Sequence, residues 1–148
     1  MSLKNLIAVV LISLFSMSLS AQENNETTLT VNISDIPTGD GDLYIRLYRP
    51  SDKWLHKKKY YREVRIAADT FTAERTAQAV ILLPQGIYAF SVYFDENGDG
   101  KLNTKIFGIP KEPVGLSNDY IPSFKPKYSK AQFTIHHEAM TQDVVMQD

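Results

Sequence analysis

"LPQGIYAFSVYF", residues 83–94, decides the fold. From Tyr88 onward, alternate positions are large and apolar: Tyr88, Phe90, Val92 and Phe94. A period of two is that of a half-buried β-strand. The Pro84–Gly86 pair just before it marks a corner. A Tyr two residues past such a corner, at the start of a strand, is the setting of a tyrosine corner. There the phenol bonds back to backbone a few residues upstream, a feature of β-sandwiches. The sequence therefore predicts this role for Tyr88, against the simpler reading of a core-edge Tyr.

Working outward, the same period recurs. "TLTVNISDI" (28–36) places Leu29, Val31 and Ile33 on one face. "LYIRLYR" (43–49) places Leu43, Ile45 and Leu47 inward and Tyr44, Arg46 and Tyr48 outward. Between them lies "PTGDGD", and two alternating runs around a Gly/Asp loop read as a β-hairpin. "TFTAERTAQAVILLP" (70–84) ends in an apolar run closed by Pro84, which suits a buried strand. "YYREVRI", "AQFTIHH" and "MTQDVVM" supply further short strands, while "KIFGIPKEPVGLSNDYIPSFKPK" (105–127) reads as one long irregular connection. No amphipathic helix, internal repeat or low-complexity tract is visible. Short strands punctuated by Gly and Pro predict an all-β fold: a single antiparallel β-sandwich of about seven strands. The expected core is Leu29, Val31, Ile33, Leu43, Ile45, Leu47, Phe90 and Val92, with Tyr48 at the surface.

The first residues read as a targeting segment. Lys4 precedes the apolar run "LIAVVLISLF", and "SMSLSAQ" offers small residues for cleavage near Ser20 or Ala21. This is the pattern of a secretory signal peptide. The apolar run is short of the roughly 20 residues of a membrane span. The expected organisation is a signal peptide (1–21), a polar leader (22–28) and one β-sandwich domain (29–148), in the periplasm or secreted. No later segment approaches membrane-span length, so no transmembrane helix is expected in the mature chain.

The chain of 148 residues contains no Cys, which excludes disulfides and a lipid-modified Cys. Removing residues 1–21 takes away Lys4, leaving 15 Lys and Arg against 17 Asp and Glu, a formal charge of −2. That balance argues against a general nucleic-acid binder.

"DENGDGKLN" (95–103) carries the strongest chemical signal. A calcium loop needs oxygens at alternating positions, so that the chain wraps a hard cation. Asp95, Asn97 and Asp99 stand at relative positions 1, 3 and 5. Gly100 follows at the sharp turn, then the Lys101 carbonyl at 7 and Asn103 at 9. Position 12 is Ile106 rather than a bidentate Glu, so the loop is not an EF-hand. About five oxygens result, where calcium takes roughly 6–8. Water, Glu112 or Asp119 would complete the shell, and Lys101 and Lys105 would weaken it. The competing reading is a metal-free turn, because Asn-Gly and Asp-Gly supply left-handed conformations unaided.

Other signals are weaker. "KWLHKKKYYR" (53–62) interleaves basic and aromatic residues. It suits either a polyanion such as lipopolysaccharide phosphate or an acidic glycan, or a solvated edge guarded by Lys. His136 and His137 are adjacent and face opposite ways on a strand, so one strand cannot bring both to one metal. No Gly-x-Ser-x-Gly elbow or Cys nucleophile is present, so no catalytic residue is assigned.

The runs "GIYAFSVYFDENGDGKLNTKIFGIPKEPVGLSND" and "PSFKPKYSKAQFTI" resemble the secreted bacterial family known as domain of unknown function 2141. Its pattern is a Gly-x-Tyr strand, an Asp/Asn/Gly-rich loop, Gly-Ile-Pro-x-Glu and a later Pro-x-Phe, and the likeness spans residues 29–146. The resemblance implies a small periplasmic or secreted sandwich, transthyretin-like or immunoglobulin-like, with no established activity. Phe94 stands where the family commonly has His, so no role of that His transfers. Asn103 stands where it commonly has Asp, which removes a carboxylate from the loop. Val114 and Leu116 replace Tyr and Phe beside Gly115.

Two functions fit. One is a non-enzymatic binding or structural module for an extracytoplasmic small ligand, glycan or protein, stabilised by calcium, with residues 95–119 at its binding end. The other is a small periplasmic hydrolase using carboxylates near that loop, such as Asp95, Glu112 and Asp119. Carboxylate separation, which would separate them, is a tertiary fact.

Overall fold

The computed structural model describes residues 25–148; the expected signal peptide lies outside the described residues. Among these residues the chain forms eight strands: β1 (Glu26–Ser34), β2 (Asp42–Tyr48), β3 (Arg62–Ile66), β4 (Ala77–Pro84), β5 (Gly86–Asp95), β6 (Val114–Leu116), β7 (Phe133–Ile135) and β8 (Met140–Val145). One sheet has the order β4-β1-β8. The other runs β3-β2-β5-β6, with β7 beside the start of β5. The longest α-helical segment described is a single turn, Tyr128–Ala131. No helix among the described residues is long and apolar enough to cross a membrane.

The inner faces follow the alternation. Leu29, Val31, Ile33, Leu43, Ile45, Leu47, Phe90 and Val92 are all buried to 1% exposure or less. Tyr88 and Phe94 join them, and Phe90 meets Phe133 edge to face with ring centroids 5.8 Å apart. Together they fill the space between the two sheets, as a sandwich requires.

Three expectations need correction. First, β1 and β2 do not form a hairpin. β1 pairs with β4 and β8, whereas β2 pairs with β3 and β5. Residues 35–41 arch from one sheet to the other. Ile36 is buried, and its N–H donates to the Arg75 carbonyl at 3.1 Å. Alternation fixes which way side chains point, not which strand is the neighbour. Second, the sandwich is not wholly antiparallel. β8 runs parallel to β1, from Leu29 opposite Met140 to Ser34 opposite Val145. These strands come from opposite ends of the chain, so no short turn dictates their sense. Third, Tyr48 is not at the surface. It points away from the inter-sheet core as expected, but the segment 49–61 covers that face. Trp54 packs edge-on against Tyr48 at 5.1 Å and against Tyr128 at 5.5 Å, and its indole N–H donates to the Pro126 carbonyl. Tyr48 is left 1% exposed. Lys53, Lys57, Lys58 and Lys59 of the same segment remain exposed.

The corner forms as its local sequence predicts: the Tyr88 hydroxyl donates to the Pro84 carbonyl at 3.0 Å. Tyr88→Phe keeps the ring and removes only this bond. The expected loss is about 0.5–1.5 kcal/mol, read as a lower urea midpoint. An unchanged midpoint would show that the bond contributes nothing.

Candidate functional site

β5 ends in a buried charge. Asp95 is 2% exposed, and both its oxygens are taken by backbone: Oδ1 accepts from Asp99 N–H at 3.2 Å, Oδ2 from Gly100 N–H at 2.8 Å. Such bonds are what a buried carboxylate needs. Gly41 passes close beneath it. A methyl group there would run into the Asp95 carbonyl, so the position requires glycine.

The loop then winds through its own side chains. Asn97 Oδ1 also accepts from Asp99 N–H, and Asp99 Oδ1 accepts from Lys101 N–H at 2.9 Å. Gly98 and Gly100 take φ of 70° and 72°, supplying the left-handed positions expected of Asn-Gly and Asp-Gly. Asn97 Nδ2 donates to Asn103 Oδ1, and Asn103 Nδ2 donates to Asp99 Oδ2, each at 3.2 Å. Glu112 lies beneath the loop, 6% exposed. Its carboxylate accepts from Asn103 N–H at 2.7 Å, tying the returning chain to the loop.

Asp95, Asn97, Asp99, the Lys101 carbonyl, Asn103 and Glu112 are thus brought to one loop. Asp119 is not. β6 runs antiparallel to β5, away from the loop, and the Asp119 carboxylate accepts from Val145 N–H in β8. The histidines do not converge on the loop either. His136 and His137 are exposed beyond β7, and His56 Nδ1 accepts from Lys58 N–H in the 49–61 segment. Among the described residues, no three His, Cys, Asp or Glu side chains stand as a ready-made metal cluster.

The electrostatics are uneven. Burial pushes the Glu112 carboxyl above its usual range, and the nearby charges of Asp95 and Asp99 add to the rise. An acid raised in the folded state favours folding at low pH, and this contribution is lost as pH rises through the folded value. Asp99 is held low, chiefly by the Asn103 amide.

Sequence reasoning missed the support of this loop. The Tyr93 hydroxyl donates to the Gly100 carbonyl at 3.3 Å and accepts from Arg46 Nη2 at 2.9 Å. The Arg46 guanidinium lies 4.8 Å from the Tyr93 ring centroid and 5.2 Å from that of Tyr60. Its Nε meets Glu63 at 2.5 Å. Tyr44 stacks on Tyr93 with centroids 5.1 Å apart. Burial raises the Tyr93 phenol well above its ordinary value, keeping it a donor. The only signal was compositional: Tyr44, Arg46, Tyr48 and Tyr93 all occupy outward positions, an aromatic-rich face for one that should meet solvent.

A family model described as an uncharacterized protein conserved in bacteria (DUF2141) matches residues 31–143, which include the whole loop. No curated protein and no solved structure matches the chain.

Proposed function

We propose that this chain, which belongs to the bacterial family DUF2141, is an extracytoplasmic, non-enzymatic binding module. In this reading its working end is the loop 95–113, steadied by one weakly bound calcium ion. The observation that carries the reading is that hydrogen bonds tie Asp95, Asn97, Asp99, Asn103 and Glu112 into one turn, although their carboxylates do not stand as a ready-made metal cluster. Glu112 is buried with its carboxyl raised, and Asp95 and Asp99 are among the causes. A divalent cation would relieve that repulsion, and every donor in reach is a hard oxygen, as calcium requires. Asp95, Asn97, Asp99, the Lys101 carbonyl, Asn103 and Glu112 would hold it. The mutual bonds of Asn97, Asp99 and Asn103 would have to open, and Lys101 and Lys105 are nearby. Both features point to weak binding, with a dissociation constant of roughly 0.1–1 mM, the range of extracellular modules.

The hydrolase reading draws less support. Asp95 and Glu112 are buried and bonded to backbone N–H groups, and Asp119 serves β8. A general acid or base must reach its substrate.

Thermal melts in excess chelator and in 2 mM calcium test the metal. At 0.1 mM affinity, linkage adds about 1.8 kcal/mol, or a rise of roughly 7 °C for a chain of this size. At 1 mM the gain is about 0.7 kcal/mol, or roughly 2 °C. Asp95→Asn and Asp99→Asn should both lose the shift. Asp99→Asn is the cleaner probe, because Asp95 also holds two backbone groups. A wild type indifferent to calcium, with no heat on titration, would reduce the loop to a turn.

A further inference from the structure

Beyond the acidic turn, the chain folds into a second, smaller hairpin that the acidic chemistry does not use. Thr104 bridges Pro110, Lys105 N–H donates to the Ile109 carbonyl, and Gly108 N–H donates to the Lys105 carbonyl. The apex is apolar and outside the core: Ile106 is 78% exposed, Phe107 98% and Ile109 56%. Phe107 adopts a left-handed φ of 67°, which is uncommon for a bulky residue. Lys101, Lys105 and Lys111 stand behind the apex, all exposed. Of the loop's acids, Asp95 and Glu112 are buried, leaving Glu96 and Asp99 as the exposed counter-charges. The whole loop, Asp95 and Glu112 included, has four acids against three lysines, but Lys105 and Lys111 flank the hairpin itself, whereas the exposed acids Glu96 and Asp99 belong to the turn before it.

We propose that this tip inserts into the surface of an anionic phospholipid bilayer, with Phe107, Ile106 and Ile109 among the upper acyl chains and the lysines at the headgroups. The inference deepens the reading of this loop as the binding end, but does not require calcium. Three features favour a lipid surface over a protein partner. The tip is convex and small, whereas a stable protein interface needs about 800 Å² per partner. The charge lies behind the apolar residues rather than around a flat patch. Lys105 is two residues from Phe107 and Lys111 four. At about 3.3 Å per extended residue they trail the ring by at most roughly 7–13 Å, less where the 105–108 turn tightens the chain. That separation matches an apolar group buried about 5–10 Å into the interface with cations at phosphate level. The hairpin is already closed by its own bonds, so insertion would order little backbone.

The test is co-sedimentation with vesicles of pure phosphatidylcholine, or with about a third phosphatidylglycerol, in 0.1 M salt with chelator. It uses the chain without residues 1–21, which lie outside the described fold. The wild type is expected to bind the anionic vesicles and to prefer them over the neutral ones. Losing one inserted aromatic should weaken partitioning roughly tenfold or more, so Phe107→Asp should release the protein. Lys105→Glu with Lys111→Glu should reduce binding and its salt dependence. Phe124→Asp is the control. Phe124 is also exposed, but lies two residues before Pro126, whose carbonyl meets Trp54 at the end of the sheet where β5 begins. It should bind as the wild type does. A melting temperature unchanged in Phe107→Asp checks that folding is intact. Wild type that ignores anionic vesicles, or Phe107→Asp that still binds them fully, overturns the proposal. So does a dimer in sedimentation equilibrium that Phe107→Asp dissolves, which would assign the tip to a second copy. A calcium shift that persists while vesicle binding fails would sink this inference alone. Vesicle binding without a calcium shift would sink only the metal.

Discussion

Phe90→Ala is expected to cost about 3–5 kcal/mol, the range for deleting a buried aromatic ring. Phe90 is fully buried between the sheets and packs on Phe133, so its loss removes contacts and opens a cavity in a core that cannot collapse far. Tyr48→Ala should fall in the same range, although Tyr48 points out of the inter-sheet core. Its ring lies under Trp54, which truncation would leave without its edge-on partner. The control is Val80→Ala, 63% exposed, expected to change stability by about 0.5 kcal/mol at most. Urea denaturation of the three variants decides the matter. If Tyr48→Ala costs as little as Val80→Ala, the 49–61 segment does not cover its sheet in solution.

That contrast also marks how far the fold was legible. Most strand positions and inward faces were legible because alternation is local: Leu43, Ile45 and Leu47 must share a face once the run is extended, whereas β6, three residues inside the stretch read as one irregular connection, was not. The Tyr88 corner was legible for the same reason, since donor and acceptor are four residues apart. Neighbours were not. Nothing in residues 28–49 reveals that β1 turns to β4 and β8, because the latch on the arch, Arg75, comes some forty residues later. Tyr48 and Arg46 show the same limit. An outward residue is exposed only if no later segment crosses it, and Trp54 does so by packing on Tyr48 and, far along the chain, Tyr128.

The loop divides in the same way. Asn97, Gly98, Asp99 and Gly100 form the turn their types favour, through bonds two to five residues long. Glu112 could be suggested but not placed until the 104–110 hairpin returned it beneath the loop. Asp119 looked equivalent on the page and is carried off by the direction of β6. The apolar apex went unread because Ile-Phe-Gly-Ile within a Pro-rich connection resembles any chain that dips toward a core.

Arg46→Ala tests whether the sheet beneath the loop governs it. Arg46 is 6% exposed, pairs with Glu63 and donates to the Tyr93 hydroxyl. Removing one partner of a buried pair typically costs about 3–5 kcal/mol. Glu63 keeps 27% of its side chain exposed, so water can recover part of its charge, and the expected loss is about 2–4 kcal/mol. Arg46→Met should cost less than Arg46→Ala, since it refills the space between Tyr60 and Tyr93. Arg46→Met with Glu63→Gln should recover more, because no charge is then left unpaired. The effect should reach the loop, as Tyr93 without its donor is free to turn from the Gly100 carbonyl. A smaller calcium-induced melting shift in Arg46→Met than in the wild type is therefore expected. A full shift beside a large stability loss would confine Arg46 to holding the sheet. A loss under about 1 kcal/mol in Arg46→Ala would mean that solvent screens the pair as it does an ordinary surface salt bridge.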